Sequence, residues 1–135
     1  MSEAWGIFIV SALIAVSSYM SKNFMFEPLL EYRKTKGKIQ NRLKYNANII
    51  TNGEFPKEII KPIRSEIRDL SCELEEKYSA ISFGKHFPTF LNIPSKQDVS
   101  EAAKQLIFLS NSTGTKNVLE NNDSIDIVKS KLRIS

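Results

Sequence analysis

The sequence contains eighteen consecutive uncharged residues, AWGIFIVSALIAVSSYMS, from Ala4 to Ser21. As an α-helix this run measures about 27 Å, close to the ~30 Å hydrocarbon thickness of a bilayer. A helix also satisfies its own backbone hydrogen bonds, as a segment surrounded by lipid must. Trp5 and Tyr19 lie near the two ends, where amphipathic rings favour the headgroup region. The pattern predicts a transmembrane anchor over residues 1–22.

A cleaved secretory signal peptide is the alternative interpretation of this run. Such signals combine a basic start, a shorter apolar stretch and a cleavage site flanked by small residues. Here the residues before the run include Glu3 and no Lys or Arg. The triplet that resembles a cleavage site, Ala15-Val16-Ser17, lies inside the apolar run. These features favour an uncleaved anchor.

The distribution of charge predicts the orientation of that anchor. No Lys or Arg precedes the run, whereas residues 22–44 contain seven Lys or Arg and two Glu. Lys and Arg accumulate in the cytoplasmic flanks of membrane spans. We therefore expect a single-pass membrane protein, with the N-terminus outside and residues 23–135 in the cytoplasm. A lone Cys72 agrees with a reducing compartment.

The basic excess lies next to the predicted anchor. Residues 22–64 contain ten basic and four acidic side chains, whereas residues 65–135 contain nine basic and ten acidic ones. Anionic headgroups attract such juxtamembrane cations by about 1 kcal/mol each. A solvated helix face that merely follows the topology rule is the other interpretation, and nucleic acid is not expected because no base-reading module is present. The residues predicted to contact anionic lipid are Lys22, Arg33, Lys34, Lys36 and Lys38.

Small residues occupy one side of the predicted span. Ser11, Ala15 and Ser18 follow one another at helical spacing, so a second backbone could approach closely along them. The sequence thus offers a seam for helix association. The alternative is a solitary anchor that tolerates small residues.

The rest of the chain is predicted to be helical. Apolar residues recur at helical spacing over residues 28–52 and again over 56–81. The short connection between the two segments predicts an antiparallel hairpin. The second segment has the more regular pattern, and its predicted apolar seam consists of Ile59, Ile63, Ile67, Leu70, Leu74, Tyr78 and Ile81.

The C-terminal part is predicted to add one or two short helices to this hairpin. Residues 82–94, SFGKHFPTFLNIP, predict an ordered crossover packed over the hairpin or, alternatively, a contact with the membrane interface. Ser95 is a candidate N-cap for a helix over 95–111, with Asp98 at the capping-box position. A loop is predicted for 112–123 and a short helix, capped by Ser124, for 124–133. The predicted fold is all-α: a transmembrane helix followed by a small cytoplasmic helical bundle.

Two stretches carry a resemblance to a known class of proteins. The first is MFEPLLEYR, from Met25 to Arg33, and the second is LIFLSNS, over residues 106–112. With the Gly37, Ile39, Leu43, Tyr45 and Asn48 that follow the first stretch, they resemble small bacterial inner-membrane proteins with one N-terminal span and a helical cytoplasmic part. The resemblance implies a bacterial inner-membrane setting and supplies neither an activity nor a site.

The sequence suggests two classes of function, and neither is enzymatic. Nucleophilic catalysis needs a Ser or Cys with a His base, and acid–base catalysis needs converging carboxylates. His86 and Cys72 are each the only residue of their type and lie apart in the sequence, so no catalytic, cofactor or metal site is expected. The first class is an adaptor or scaffold that binds a protein partner. The alternative is an effector whose spans self-associate and perturb the bilayer.

Overall fold

The computed structural model describes residues 2–22, 26–52, 54–81 and 93–134, and all regular structure in those ranges is helical. This confirms the all-α prediction. The six helices are α1 (Ser2–Ser21), α2 (Glu27–Tyr45), α3 (Ala47–Thr51), α4 (Lys57–Ser79), α5 (Lys96–Ser112) and α6 (Val118–Leu132).

α1 is long and apolar enough to cross a membrane, and no residue of its apolar stretch, Ser2–Met20, is buried. Its large apolar side chains are between 50% and 69% exposed, with Tyr19 and Ile7 at the upper end of that range. The other five helices form a bundle around an apolar core of their own. The fully buried members of that core run from Tyr32 in α2 to Leu132 in α6, so α1 contributes nothing to it.

α4 packs between α2 and α5. Two ion pairs join α2 to α4: Lys38 contacts Glu73, and Arg42 contacts Glu66. The later residue of α2 therefore contacts the earlier residue of α4. Two helices whose contacts pair in this order are antiparallel. On the other side of α4, the Ser71 hydroxyl donates to the carbonyl oxygen of Ala103 in α5 at 2.8 Å.

The buried face of α4 differs from the predicted seam at its first position. The seam residues from Ile63 to Ile81 are buried, but Ile59 is 44% exposed and Ile60 takes its place in the interior. Ile60 packs under the turn between α5 and α6, where a Cβ on Gly114 would lie 2.5 Å from its side chain. Gly114 also has a φ of 84°, a left-handed conformation that favours glycine.

The segment predicted as one helix over residues 28–52 is two helices. Asn46 has φ −97° and ψ 9°, so α2 ends at Tyr45 and the chain bends before α3. Asn46 is buried, and its N–H donates to the carbonyl oxygen of Arg42 at 3.0 Å. The bend places Ile50 in the core and brings α3 against α6.

The start of α5 agrees with the predicted cap. The Ser95 hydroxyl accepts a hydrogen bond from the backbone N–H of Asp98 at 3.2 Å, which satisfies a donor that the helix cannot pair internally. Val99, Ala102, Ala103 and Leu106 are buried on the same face. The two alanines occupy little space and let α5 approach α4 closely.

α6 begins at Val118, so much of the predicted loop 112–123 is helical, and Ser124 lies buried inside α6 rather than at its start. The reason is a polar side chain that is satisfied in the interior. The Asn121 amide nitrogen donates to the carbonyl oxygens of Ile50 at 2.8 Å and Ser112 at 3.3 Å. The segment can form a helix that packs on the core because its buried amide is hydrogen-bonded to the distant Ile50 and to the end of α5. Of the predicted crossover over 82–94, residues 82–92 lie outside the described ranges; Ile93 and Pro94 are buried.

Truncating a leucine of this core should destabilise the bundle far more than the same change on the surface. Leu74 is fully buried, whereas Leu119 is 79% exposed. We expect Leu74→Ala to lower the free energy of unfolding by about 2–5 kcal/mol, and Leu119→Ala to change it by less than ~0.5 kcal/mol. Urea unfolding of a fragment starting at residue 23, followed by circular dichroism, measures both values. Equal losses in the two variants, or a fragment without helical structure, would contradict a core that excludes α1.

Candidate functional site

Four of the five residues predicted to contact anionic lipid lie on α2, at the start of the bundle, whereas Lys22 directly follows α1. Lys22, Arg33, Lys34 and Lys38 are exposed and Lys36 is half-buried. Pro28 falls in the first turn of α2, where its fixed φ suits the helix and its missing N–H costs no hydrogen bond. α2 is thus the first helix to present basic side chains after α1.

The buried seam of α2 divides the four predicted basic residues on this helix into two groups. Tyr32, Thr35, Ile39 and Leu43 form the seam. Because residues three or four apart share a side of a helix, Lys34 and Lys38 lie on one flank of this seam and Arg33 and Lys36 on the other. The two flanks have different surroundings.

On the α4 flank the cations are paired with carboxylates. Lys34 lies 3.3 Å from Glu31, and Lys38 donates to Glu73 at 3.0 Å. The hydrogen bond from Lys38 lowers the pKa of Glu73, burial opposes it, and a hydrogen bond from the Thr35 hydroxyl lowers it further. Exposed pairs such as these are worth at most about 1 kcal/mol each, but they partly neutralise the cations that an anionic surface would attract.

On the other flank Lys36 is influenced by two other cations, Arg33 on α2 and Arg133 at the end of α6. Burial lowers the pKa of Lys36, and the positive charges of Arg33 and Arg133 lower it further. Among the described residues no carboxylate forms an ion pair with Arg33 or Lys36. We call Arg33, Lys36 and Arg133 the basic face. An anion placed on it would relieve the repulsion that lowers the Lys36 pKa.

Arg133 is the member of the basic face that the sequence did not predict. It terminates α6 in a left-handed conformation, with φ 58° and ψ 48°, and the next N–H, that of Ile134, donates to the Lys129 carbonyl oxygen at 2.8 Å. Its positive charge acts on two residues of α2, Lys36 and Tyr32. The sequence contains no local signal for this role of Arg133, because the role depends on the packing of α6 against α2.

Two tyrosines hold the helices together beneath the basic face. The rings of Tyr32 and Tyr78 meet edge to face, with centroids 5.8 Å apart and planes at 65°. The Tyr78 hydroxyl donates to the carbonyl oxygen of Pro94 at 2.9 Å. Burial raises the pKa of both phenols, and the Arg133 charge acts in the opposite direction on Tyr32. Both side chains therefore remain neutral, and the pair joins α2, α4 and the segment that leads into α5.

The other predicted site residues lie on α1. Ser11, Ala15 and Ser18 are all exposed, and their spacing puts them along one side of the helix. In the described part of the chain, no group of three or more His, Cys, Asp or Glu is placed to hold a metal ion. Cys72 is an exposed free thiol on α4, and His86 lies outside the described residues.

No protein-family model, curated protein or solved structure matches this chain.

The two flanks of α2 should differ in their contribution to lipid binding. We expect the fragment starting at residue 23 to bind vesicles that contain phosphatidylglycerol and to dissociate as salt is added. Replacing Arg33 and Lys36 with Gln should weaken binding by about 30-fold, at ~1 kcal/mol for each cation. The matched pair Lys34→Gln and Lys38→Gln removes the same charge and should weaken binding less, because their cations are already paired with Glu31 and Glu73.

Vesicle co-sedimentation across a salt series measures these affinities, with pure phosphatidylcholine vesicles as the control. Salt-independent binding to neutral vesicles would indicate insertion of apolar side chains such as Phe26, which is 59% exposed. That result, or equal losses from the two double variants, would contradict a role for the basic face.

Proposed function

We propose that this protein is a membrane-anchored adaptor or scaffold without catalytic activity of its own. In this proposal α1 crosses a bacterial inner membrane once, with the N-terminus outside, and the bundle binds a protein partner in the cytoplasm. The observation that carries the proposal is the separation of α1 from the core. One helix exposes its apolar side chains while the other five bury theirs against one another.

The exposure of α1 supports the membrane part of the proposal. Eight apolar side chains from Trp5 to Val16 are more than half exposed, and water is a poor solvent for such a surface. A bilayer removes that surface from water without any contribution from the bundle. The basic residues that follow α1, in turn, support a cytoplasmic bundle, because Lys and Arg collect on that side of a span.

The surface of the bundle supports a partner at the end away from the start of α2. Tyr45, the last residue of α2, is 78% exposed, and Leu119, in the first turn of α6, is 79% exposed. Both lie at the same end of the bundle, because Asn121 in α6 donates to the carbonyl oxygen of Ile50 just beyond α2. Large exposed apolar side chains of this kind are typical points of contact with another protein.

The effector alternative rests on the seam of α1. Ser11, Ala15 and Ser18 are exposed, so a second span could pack against them. In lipid such packing relies on close backbone approach and on interhelical hydrogen bonds of about 0.6 kcal/mol each. Weak self-association is compatible with an adaptor as well. The two functions differ in the part that acts: the bundle binds a partner in an adaptor, whereas the span perturbs the bilayer in an effector.

Photo-crosslinking from the bundle tests the adaptor function. A photoreactive amino acid in place of Leu119 should form a discrete adduct with a partner protein in cells. The same amino acid in place of Gln40, an exposed polar position on α2, is the matched control and should not. The adduct should persist when α1 is exchanged for an unrelated apolar span, because recognition resides in the bundle.

Overproduction of the same variants tests the alternative. An effector should arrest growth and depolarise the membrane, and both effects should disappear with the exchanged span and with Ala15→Leu, which fills the seam. That pattern, without an adduct from position 119, would contradict the adaptor function.

A further inference from the structure

A polar pocket of about 270 Å³ lies between α4 and the end of α5. Its lining consists of Arg64, Ser65, Arg68, Ser110 and Asn111, and no described acidic side chain contributes to it. Two cations therefore border a small polar space.

Both arginines are held in place by neutral acceptors. Arg64 Nε donates to the carbonyl oxygen of Thr113 at 2.7 Å, and one terminal nitrogen of Arg68 donates to Asn111 Oδ1 at 2.7 Å. A guanidinium has five N–H donors, so each side chain keeps donors for a ligand. Within the described ranges, neither arginine forms an ion pair with a carboxylate.

Capping of α5 accounts for only part of this arrangement. Arg64 lies at the carboxyl end of α5, where a cation compensates about half a negative charge of the helix dipole. Arg68 binds a side-chain amide instead of a terminal carbonyl, so capping does not explain it. Because Asn111 accepts from Arg68 through its oxygen, its amide nitrogen remains a donor, and the exposed Ser65 supplies a hydroxyl.

We propose that this pocket binds a phosphate group. The planar guanidinium matches phosphate oxygens through paired hydrogen bonds, and the neutral donors suit an anion with several acceptor oxygens. The pocket lies toward the start of α4, whereas the Tyr32–Tyr78 contact beneath the basic face lies toward its end. This position favours free phosphate or a soluble phosphate monoester over a lipid headgroup, and it does not depend on the adaptor function.

Titration of the full chain with inorganic phosphate tests the site. The protein is placed in nanodiscs of phosphatidylcholine, and the side-chain N–H signals of Arg64 and Arg68 are followed by NMR. We expect saturable shifts of both signals. Arg68→Gln should weaken the apparent affinity by about tenfold, as expected for the loss of one charge-assisted hydrogen-bond partner.

Lys61→Gln is the matched control, because Lys61 is exposed on α4 and does not line the pocket. It should leave the affinity nearly unchanged. Arg64→Lys retains the charge but loses the planar fork, so it should also weaken binding while thermal unfolding reports that α5 remains folded.

A second titration distinguishes the two sources of phosphate. In nanodiscs that contain phosphatidic acid and no added phosphate, shifts of the two arginine signals would support the site and assign it to a headgroup. Absence of saturable shifts with either source would overturn the proposal. So would equal weakening by Lys61→Gln and Arg68→Gln, since that would show general attraction of anions to a basic surface.

Discussion

The apolar face of α4 is the interaction on which the rest of the bundle depends. Ile67, Leu70 and Leu74 are buried between α2 and α5, and each such side chain contributes about 1.5–3 kcal/mol on burial. α6 then packs on α5 and α3 packs on α6, so the outer helices rely on the central pair. Among the described residues, this core consists of side chains from the five helices and from the segments next to them, and α1 contributes none.

Much of this fold follows from local patterns in the sequence. The regular spacing from Ile63 to Ile81 predicts the buried face of α4, and Ser95 predicts the start of α5. The misplaced features depend on contacts between distant residues. The sequence around Asn121 is typical of a polar loop, and the hydrogen bond from Asn121 to Ile50 is not visible in it. Asn46 interrupts a helical pattern, and the resulting bend brings Ile50 to α6.

The candidate sites also depend on contacts between residues that are distant in the sequence. A count of charges identifies the basic stretch after α1, but it does not separate Lys38, which is paired with Glu73, from Lys36, whose pKa is lowered by burial and by the charges of Arg33 and Arg133. Arg133 belongs to the basic face only because α6 packs against α2. The pocket between α4 and α5 also depends on tertiary structure, because Arg68 and Asn111 are far apart in the sequence and meet through a hydrogen bond. In both cases packing decides which charged and polar side chains meet.

Accessibility of Cys72 in cells tests the central claim, that α1 is a span that holds the bundle on the cytoplasmic side. This thiol is exposed on α4, so it reports directly on the compartment of the bundle. We expect the full chain to remain in the membrane pellet after alkaline carbonate extraction. A membrane-impermeant maleimide should label Cys72 only after the cells are permeabilised. Release of the chain by carbonate, or labelling of Cys72 in intact spheroplasts, would contradict the claim.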